Sequence, residues 1–247
     1  MNHKPSLCLV IADSSRTGAP RQVYYLAQNL KDRYNVHCIC PEGWLLDALM
    51  QSGGITVHRY DFRQTALAAI PALRRYYRQI NPTLIHCHGV RGGIVGIAAA
   101  RGLKTPTIYT EHLWTSDFHL PSQIREQIQL RALRHMGQTA DHIVAVSEAV
   151  KRFILEKRIT TDNKVAVIYG GIEPLPERPL PKEPIIGTLG YLSWVKDVAT
   201  LLRAIPVVQQ HIPTIRCHIG GSGPEEQALK QLADMLNIAD RITWQGE

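Results

Sequence analysis

No stretch of this sequence is apolar for long enough to span a bilayer, and none is of low complexity or repeats at a short period. Those absences set aside a membrane-spanning bundle, a fibrous chain and a solenoid. Cysteine is scarce and scattered: Cys8, Cys38, Cys40, Cys87 and Cys217, an odd number lying inside apolar runs. Such a distribution reads as buried reduced thiols rather than a disulfide framework. The Cys38/Cys40 and His86/Cys87/His88 clusters have no second matched pair, so no metal site and no bound cofactor are expected. Ser147 lacks a surrounding G-x-S-x-G, which disfavours a serine hydrolase. No RNP, KH or zinc motif is present, which disfavours a nucleic-acid partner. No carboxylate pair closes one strand end, which disfavours a classical glycosidase.

What is present is ordinary in composition and uneven in charge. The chain has 247 residues, 45% of them hydrophobic and 20% charged, as in a globular protein of one or two domains. Residues 1–183 carry 23 Lys and Arg against 15 Asp and Glu, whereas residues 184–247 carry 5 against 6. The basic excess belongs to the first segment and suits an anionic partner, such as a membrane surface. The first apolar run, Leu7–Ala12, is short and reads as a strand rather than a signal segment. A cytoplasmic location is expected, with peripheral contact at the inner face of the membrane. The segment Ala72–Ile80 places Leu73, Tyr77 and Ile80 on one helical face and Arg74, Arg75 and Arg78 mostly on another, where they can meet lipid phosphates.

Strand-like runs alternate with helical patterns along the chain. Leu7–Ala12, Val36–Cys40, Thr56–Tyr60, Leu84–His88, Thr107–His112, His142–Ser147 and Val165–Tyr169 read as strands, separated by helical stretches such as Gln22–Asp32 and Gly93–Arg101. Continuous apolar strands in βαβα order predict a parallel sheet with helices on both faces. Residues 173–184 then hold five prolines in twelve, which neither a helix nor a central strand accepts. We read them as a linker between a domain over 1–172 and a second unit over 185–247. That second unit restarts the pattern at Ile185–Gly190, Ile215–Gly220 and Ile242–Gly246.

Several strand ends carry polar chemistry. Thr17-Gly18-Ala19 follows the first strand and opens a helix, where free N–H groups and a small side chain suit a phosphate. His88 ends the fourth strand and Glu111-His112 the fifth, where ionisable groups are costly unless they face a polar cleft or find partners. Glu111 holding a loop is the structural alternative. Ser147 reads as a helix cap. In the second unit, Lys196 stands at the mouth of a helix, and Gly220-Gly221-Ser222-Gly223-Pro224 lets a ligand lie against the backbone.

The order of these motifs resembles glycosyltransferase family 4. The residues that carry the resemblance are Thr17-Gly18-Ala19, Leu84–His88, Tyr109-Thr110-Glu111-His112, Ala140–Glu148, Gly190-Tyr191-Leu192 with Lys196-Asp197, and Gly220–Pro224. It implies a GT-B type fold, an α/β architecture of a Rossmann-like acceptor-side domain followed by an incomplete Rossmann-like donor domain. It also implies a retaining transfer from a nucleotide-sugar donor to a glycan or lipid-linked acceptor, in cell-surface polysaccharide or glycolipid synthesis. His112, with Glu111 and His88, takes the catalytic positions. Gly18, Ala19, Lys196, Gly221 and Gly223 take the donor-binding positions, facing the histidines across one groove. Two departures stand out: Tyr191 replaces the family's usual arginine, and its acidic segment would lie beyond Gly246. The chain as given is therefore expected to transfer little. A non-catalytic binding module is the alternative.

Overall fold

The computed structural model describes residues 4–114, 120, 122–172, 176, 179 and 181–246. The chain divides into two compact units, Met1–Ile172 and Glu173–Glu247. Of the proline-rich segment read as a linker, residues 173–175, 177, 178 and 180 lie outside the described residues.

The first unit is a seven-stranded, wholly parallel sheet. Its strands are β1 (Ser6–Ile11), β2 (Asn35–Cys40), β3 (Ile55–Arg59), β4 (Leu84–His88), β5 (Thr107–Glu111), β6 (His142–Ala145) and β7 (Val165–Val167). They lie in the order β3-β2-β1-β4-β5-β6-β7. The direction of winding therefore reverses between β1 and β4, the place where open α/β sheets take ligands at their carboxyl ends. Register across that point pairs Leu7 with Leu84 and Ile11 with His88.

Helices α1 (Gly18–Leu30), α2 (Trp44–Ser52), α3 (Ala66–Ile80), α4 (Gly89–Ala100), α5 (Gln123–Thr139) and α6 (Glu148–Glu156) cover the sheet unequally. Leu7, Leu9 and Ile11 pack with Val23 and Ala27 of α1 and Leu45 and Leu49 of α2. The opposite side of the same strands, Cys8 and Val10 with Cys87 and Tyr109, packs against α3 to α6. Strand β1 is buried on both faces, which is why it reads as an unbroken apolar run. All five cysteines are buried and free. Helix α4 approaches β5 so closely that a side chain at Gly93 would overlap the Tyr109 ring. Ser147 caps α6, its Oγ accepting from the Val150 N–H at 3.2 Å.

Two helices begin earlier than the sequence suggests. Helix α1 starts at Gly18, so Gly18 and Ala19 form its first turn rather than a preceding loop. Helix α3 starts at Ala66 and runs through Pro71. One reading of its surface needs correction. Arg74 does not face outward: it donates to the carbonyls of Ala99 (3.1 Å), Ala98 (3.4 Å) and Arg101 (3.0 Å), closing the end of α4. Arg75 and Arg78 remain exposed.

The second unit is a three-stranded parallel sheet, β10-β9-β8, built from β8 (Ile185–Leu189), β9 (Arg216–Gly220) and β10 (Ile242–Gly246). Helices α7 (Val198–His211) and α8 (Glu226–Met235) cover one face through Leu202, Ile205, Leu229 and Ala233 on Cys217 and Ile219. Among the described residues no helix is long and apolar enough to cross a membrane.

Candidate active site

In the first unit the polar strand ends gather beside the reversal between β1 and β4. The loop after β1 folds on Asp13, whose carboxylate accepts from the Ser15 N–H (2.8 Å), the Ser15 hydroxyl (3.0 Å) and the Thr17 hydroxyl (3.2 Å). Thr17 precedes α1 without capping it, and the first turn carries no acidic residue. The positive end of α1 is thus left without a side-chain acceptor. A side chain at Gly18 would meet nothing within 4 Å, so no packing in the unit demands a glycine there. Ala19 packs partly into the α1–α2 core.

Three histidines share one face of β4 and β5 because their positions alternate in register. His86 Nε2 lies 2.7 Å from the Thr110 hydroxyl, and His88 Nδ1 lies 3.2 Å from His112 Nε2. The ring centroids of His86 and His88 are 4.0 Å apart. Burial pushes His86 and His112 down to about 4. Burial, reinforced by both neighbouring rings, holds His88 well below the ordinary histidine range. All three are therefore neutral near pH 7.

Their neutrality fixes a tautomer. A single proton lies between His88 Nδ1 and His112 Nε2, and the other nitrogen of His88, Nε2, is buried without a partner. A buried N–H without an acceptor is the rarer defect. The arrangement that avoids it has His88 Nδ1–H donating and His112 Nε2 accepting. His112 then carries its proton on Nδ1, and that N–H is its remaining donor.

Glu111 lies one residue before this histidine and is 1% exposed. Its Oε1 accepts from the backbone N–H groups of His112 (2.9 Å), Leu113 (3.0 Å) and Trp114 (3.4 Å), and its Oε2 from the Tyr109 hydroxyl (2.5 Å). Burial raises its pKa against the opposing pull of those donors. Both oxygens are engaged, so Glu111 holds the loop on which His112 stands. His88 is equally buried and positions the His112 ring.

In the second unit, Gly221 and Gly223 serve a backbone contact. A side chain at Gly221 would overlap the Gly190 carbonyl, and one at Gly223 the Leu192 carbonyl. The two loops are laced by Gly190 N–H to Gly220 O (3.0 Å), Leu192 N–H to Ser222 O (2.9 Å) and Glu225 N–H to Leu192 O (3.1 Å). Lys196 is exposed at the end of the turn Trp194–Lys196, its stem 3.8 Å from the position of a Gly190 side chain. The strand-end loops of β8 and β9 thus bring Lys196, Gly190 and Gly221 together. Tyr191, in the family's arginine position, is half exposed.

Sequence reasoning missed a cavity of about 820 Å³ at the ends of β1, β2 and β3, lined by Ser14, Trp44, Arg59, Asp61, Arg63 and Arg91 among others. Its signal was the alternating charge of Arg59, Asp61 and Arg63 directly at a strand end.

Residues 16–174 match the model of Glycosyltransferase Family 4, and residues 175–247 that of Glycosyl transferases group 1. The chain belongs to glycosyltransferase family 4. A curated relative, the alpha-monoglucosyldiacylglycerol synthase of Streptococcus pneumoniae, is 26% identical over 175 residues, covering 62% of this chain and 39% of that protein. A human relative, one of the subunits of phosphatidylinositol N-acetylglucosaminyltransferase, is 23% identical over 188 residues, covering 74% of this chain and 38% of its own length. The chain thus spans about two fifths of these family 4 relatives. Among solved structures, Anabaena Alr3699/HepE in complex with UDP and glucose superposes with a TM-score of 0.79 at 20% identity, over 99% of this chain and 69% of that one. Sucrose-phosphate synthase from Thermosynechococcus elongatus gives 0.70 at 18% identity, over 98% and 70%. The fold is that of GT-B glycosyltransferases.

Proposed function

We propose that the chain acts in a retaining glycosyl transfer from a nucleotide-sugar to a glycan or lipid-linked acceptor, in polysaccharide or glycolipid synthesis. The observation that carries this reading is His112. A neutral histidine is held at the carboxyl edge of the sheet by Glu111 and His88, with one ring N–H left for a ligand. The names of the pneumococcal and human relatives support a lipid-borne acceptor. The basic first segment supports work at the inner face of a membrane.

In this mechanism the sugar's bond to the diphosphate breaks as the acceptor oxygen bonds to the same carbon from the same face. The acceptor's proton passes to the departing phosphate. His112 Nδ1–H donates to the transferred sugar and fixes its position. The free N–H groups at Gly18 and Ala19, and the Lys196 ammonium beside the laced loops of Gly221 and Gly223, offset the charge growing on the diphosphate. No protein nucleophile is required, which agrees with Glu111 having both oxygens occupied. Glu111 and His88 are positioning residues.

The test pairs UDP and GDP binding with label transfer from UDP-glucose, UDP-N-acetylglucosamine and GDP-mannose to extracted lipids and glycans. Lys196→Ala is expected to weaken nucleotide binding about tenfold. His112→Ala is expected to cut transfer at least a hundredfold while leaving the thermal midpoint nearly unchanged. Nucleotide binding indifferent to Lys196 would refute the donor assignment. Tyr191 favours the second reading, a binding module, and nucleotide or acceptor binding without transfer would establish it.

A further inference from the structure

The proposed transfer leaves the cavity at the ends of β1, β2 and β3 without a task, although it is firmly built. It measures about 820 Å³, within the roughly 300–1,000 Å³ typical of small-molecule sites. Buried Ser14 donates through Oγ to the Pro41 carbonyl at 2.7 Å and accepts at its own carbonyl from the Leu45 N–H at 3.1 Å. Gly43, at φ +141°, backs onto Ser14 so tightly that an added Cβ would stand 3.0 Å from the Ser14 Cβ. Arg91 donates to the carbonyls of Phe62 and Gln64, pinning the loop after β3. Phe62 is buried against the cavity, and the Trp44 indole is half exposed beside it.

The charges lining this space are balanced and committed. Arg59 pairs with Glu42 at 3.2 Å and Arg63 with Asp61 at 3.1 Å. Arg91 is spent on two carbonyls, and Asp13 on Ser15 and Thr17. A dianion entering here would find no unmatched guanidinium and would meet three carboxylates. A neutral polyol would find the reverse: fixed carboxylates and guanidinium groups to bond its hydroxyls, and an aromatic face for its C–H surface. A pyranose ring has both features, with hydroxyls round its edge and C–H groups on its faces.

We propose that this cavity holds an uncharged sugar ring of the acceptor. The inference rests on the transferase reading and narrows it: the acceptor presents a sugar unit here, not a lipid phosphate or glycerol. Trp44 supplies the stacking face, and Asp61 and Arg63 bond the hydroxyls.

The test is ligand-observed saturation-transfer NMR on the full chain. The probes are the methyl pyranosides of glucose, galactose, mannose and N-acetylglucosamine, with glycerol 3-phosphate and inorganic phosphate as anionic competitors. Saturation is expected to reach the ring protons of at least one glycoside. The signal should fall at least fivefold in Trp44→Ala and in Arg63→Ala, and should persist in excess phosphate. The Arg63 side chain is 93% exposed, so its loss tests binding without challenging folding. Silence from every glycoside, equal signals in both variants, or displacement by glycerol 3-phosphate would each overturn the assignment. UDP binding in the same samples judges the transferase reading separately. UDP bound with every glycoside silent defeats the sugar assignment alone.

Discussion

At the residue scale, the site depends on a proton that His88 assigns to its neighbour. The isolated imidazole prefers no fixed tautomer, but a buried ring with one usable partner does. We expect nitrogen-15 shifts to report His112 protonated at Nδ1 near neutral pH. In His88→Leu the Nε2 of His112 loses its donor, and the signal should become that of a ring exchanging between tautomers. Protonation at Nε2 in the unmodified protein would contradict the assignment made from the orphaned His88 nitrogen. Part of this was legible beforehand. Glu111 and His112 closing an apolar strand announced a special site, and Ser147 announced a cap. The division of labour was not legible, because it depends on which atoms the fold leaves unpaired. Glu111 is occupied by three backbone N–H groups that only the folded loop brings together. The glycines at 221 and 223 looked like room for a ligand, yet each lies against a neighbouring backbone carbonyl.

At the scale of elements, strand positions followed from apolar runs, whereas helix starts did not. Gly18 and Pro20 have the chemistry of a turn, yet both fit the first turn of a helix, where few N–H groups have intrahelical partners. Pro71 suggested a boundary, but its ring opposes the carbonyl of Leu67, which is 87% exposed and lies near the helix start. The cavity at the ends of β1 to β3 draws on four separate loops, so no single window of sequence displayed it. Helix α3 also divides its arginines between two tasks. Arg74→Gln should destabilise the protein by about 1–2 kcal/mol, since its guanidinium bonds three carbonyls at the end of α4. Arg75→Gln with Arg78→Gln should leave the thermal midpoint alone and weaken sedimentation with anionic vesicles, at about 1 kcal/mol for each basic residue near the surface. The binding should fade with salt. Unchanged sedimentation of the double variant would remove α3 from the membrane reading.

For the whole molecule, the buried histidines set an acid limit. His86 and His112 fall to about 4 in the folded state from 6.5 in the unfolded chain, and His88 falls further. Lowered values mean that the unfolded chain takes up protons first. The stability these groups contribute is complete above pH 6.5 and is lost as pH falls toward 4. Each of the first two represents a few kcal/mol, to order of magnitude. Glu111, raised by burial, acts in the opposite sense and offsets part of the loss. The thermal midpoint should therefore drop steeply between pH 6.5 and 4, and replacing His86 with an apolar residue of similar size should flatten that slope. A midpoint constant over this range would show that the histidines are hydrated and titrate normally.

The loop that Glu111 gathers also carries Trp114, which is 1% exposed and whose ring lies 5.3 Å from that of Phe153. Trp44 and Trp244 are only partly covered, and Trp194 is 68% exposed. The protein thus contains its own optical gauge: one indole emitting at short wavelength and shielded from iodide, tied through its backbone to the carboxylate that seats His112. Seating and release of that loop can be followed by light alone, without label or substrate.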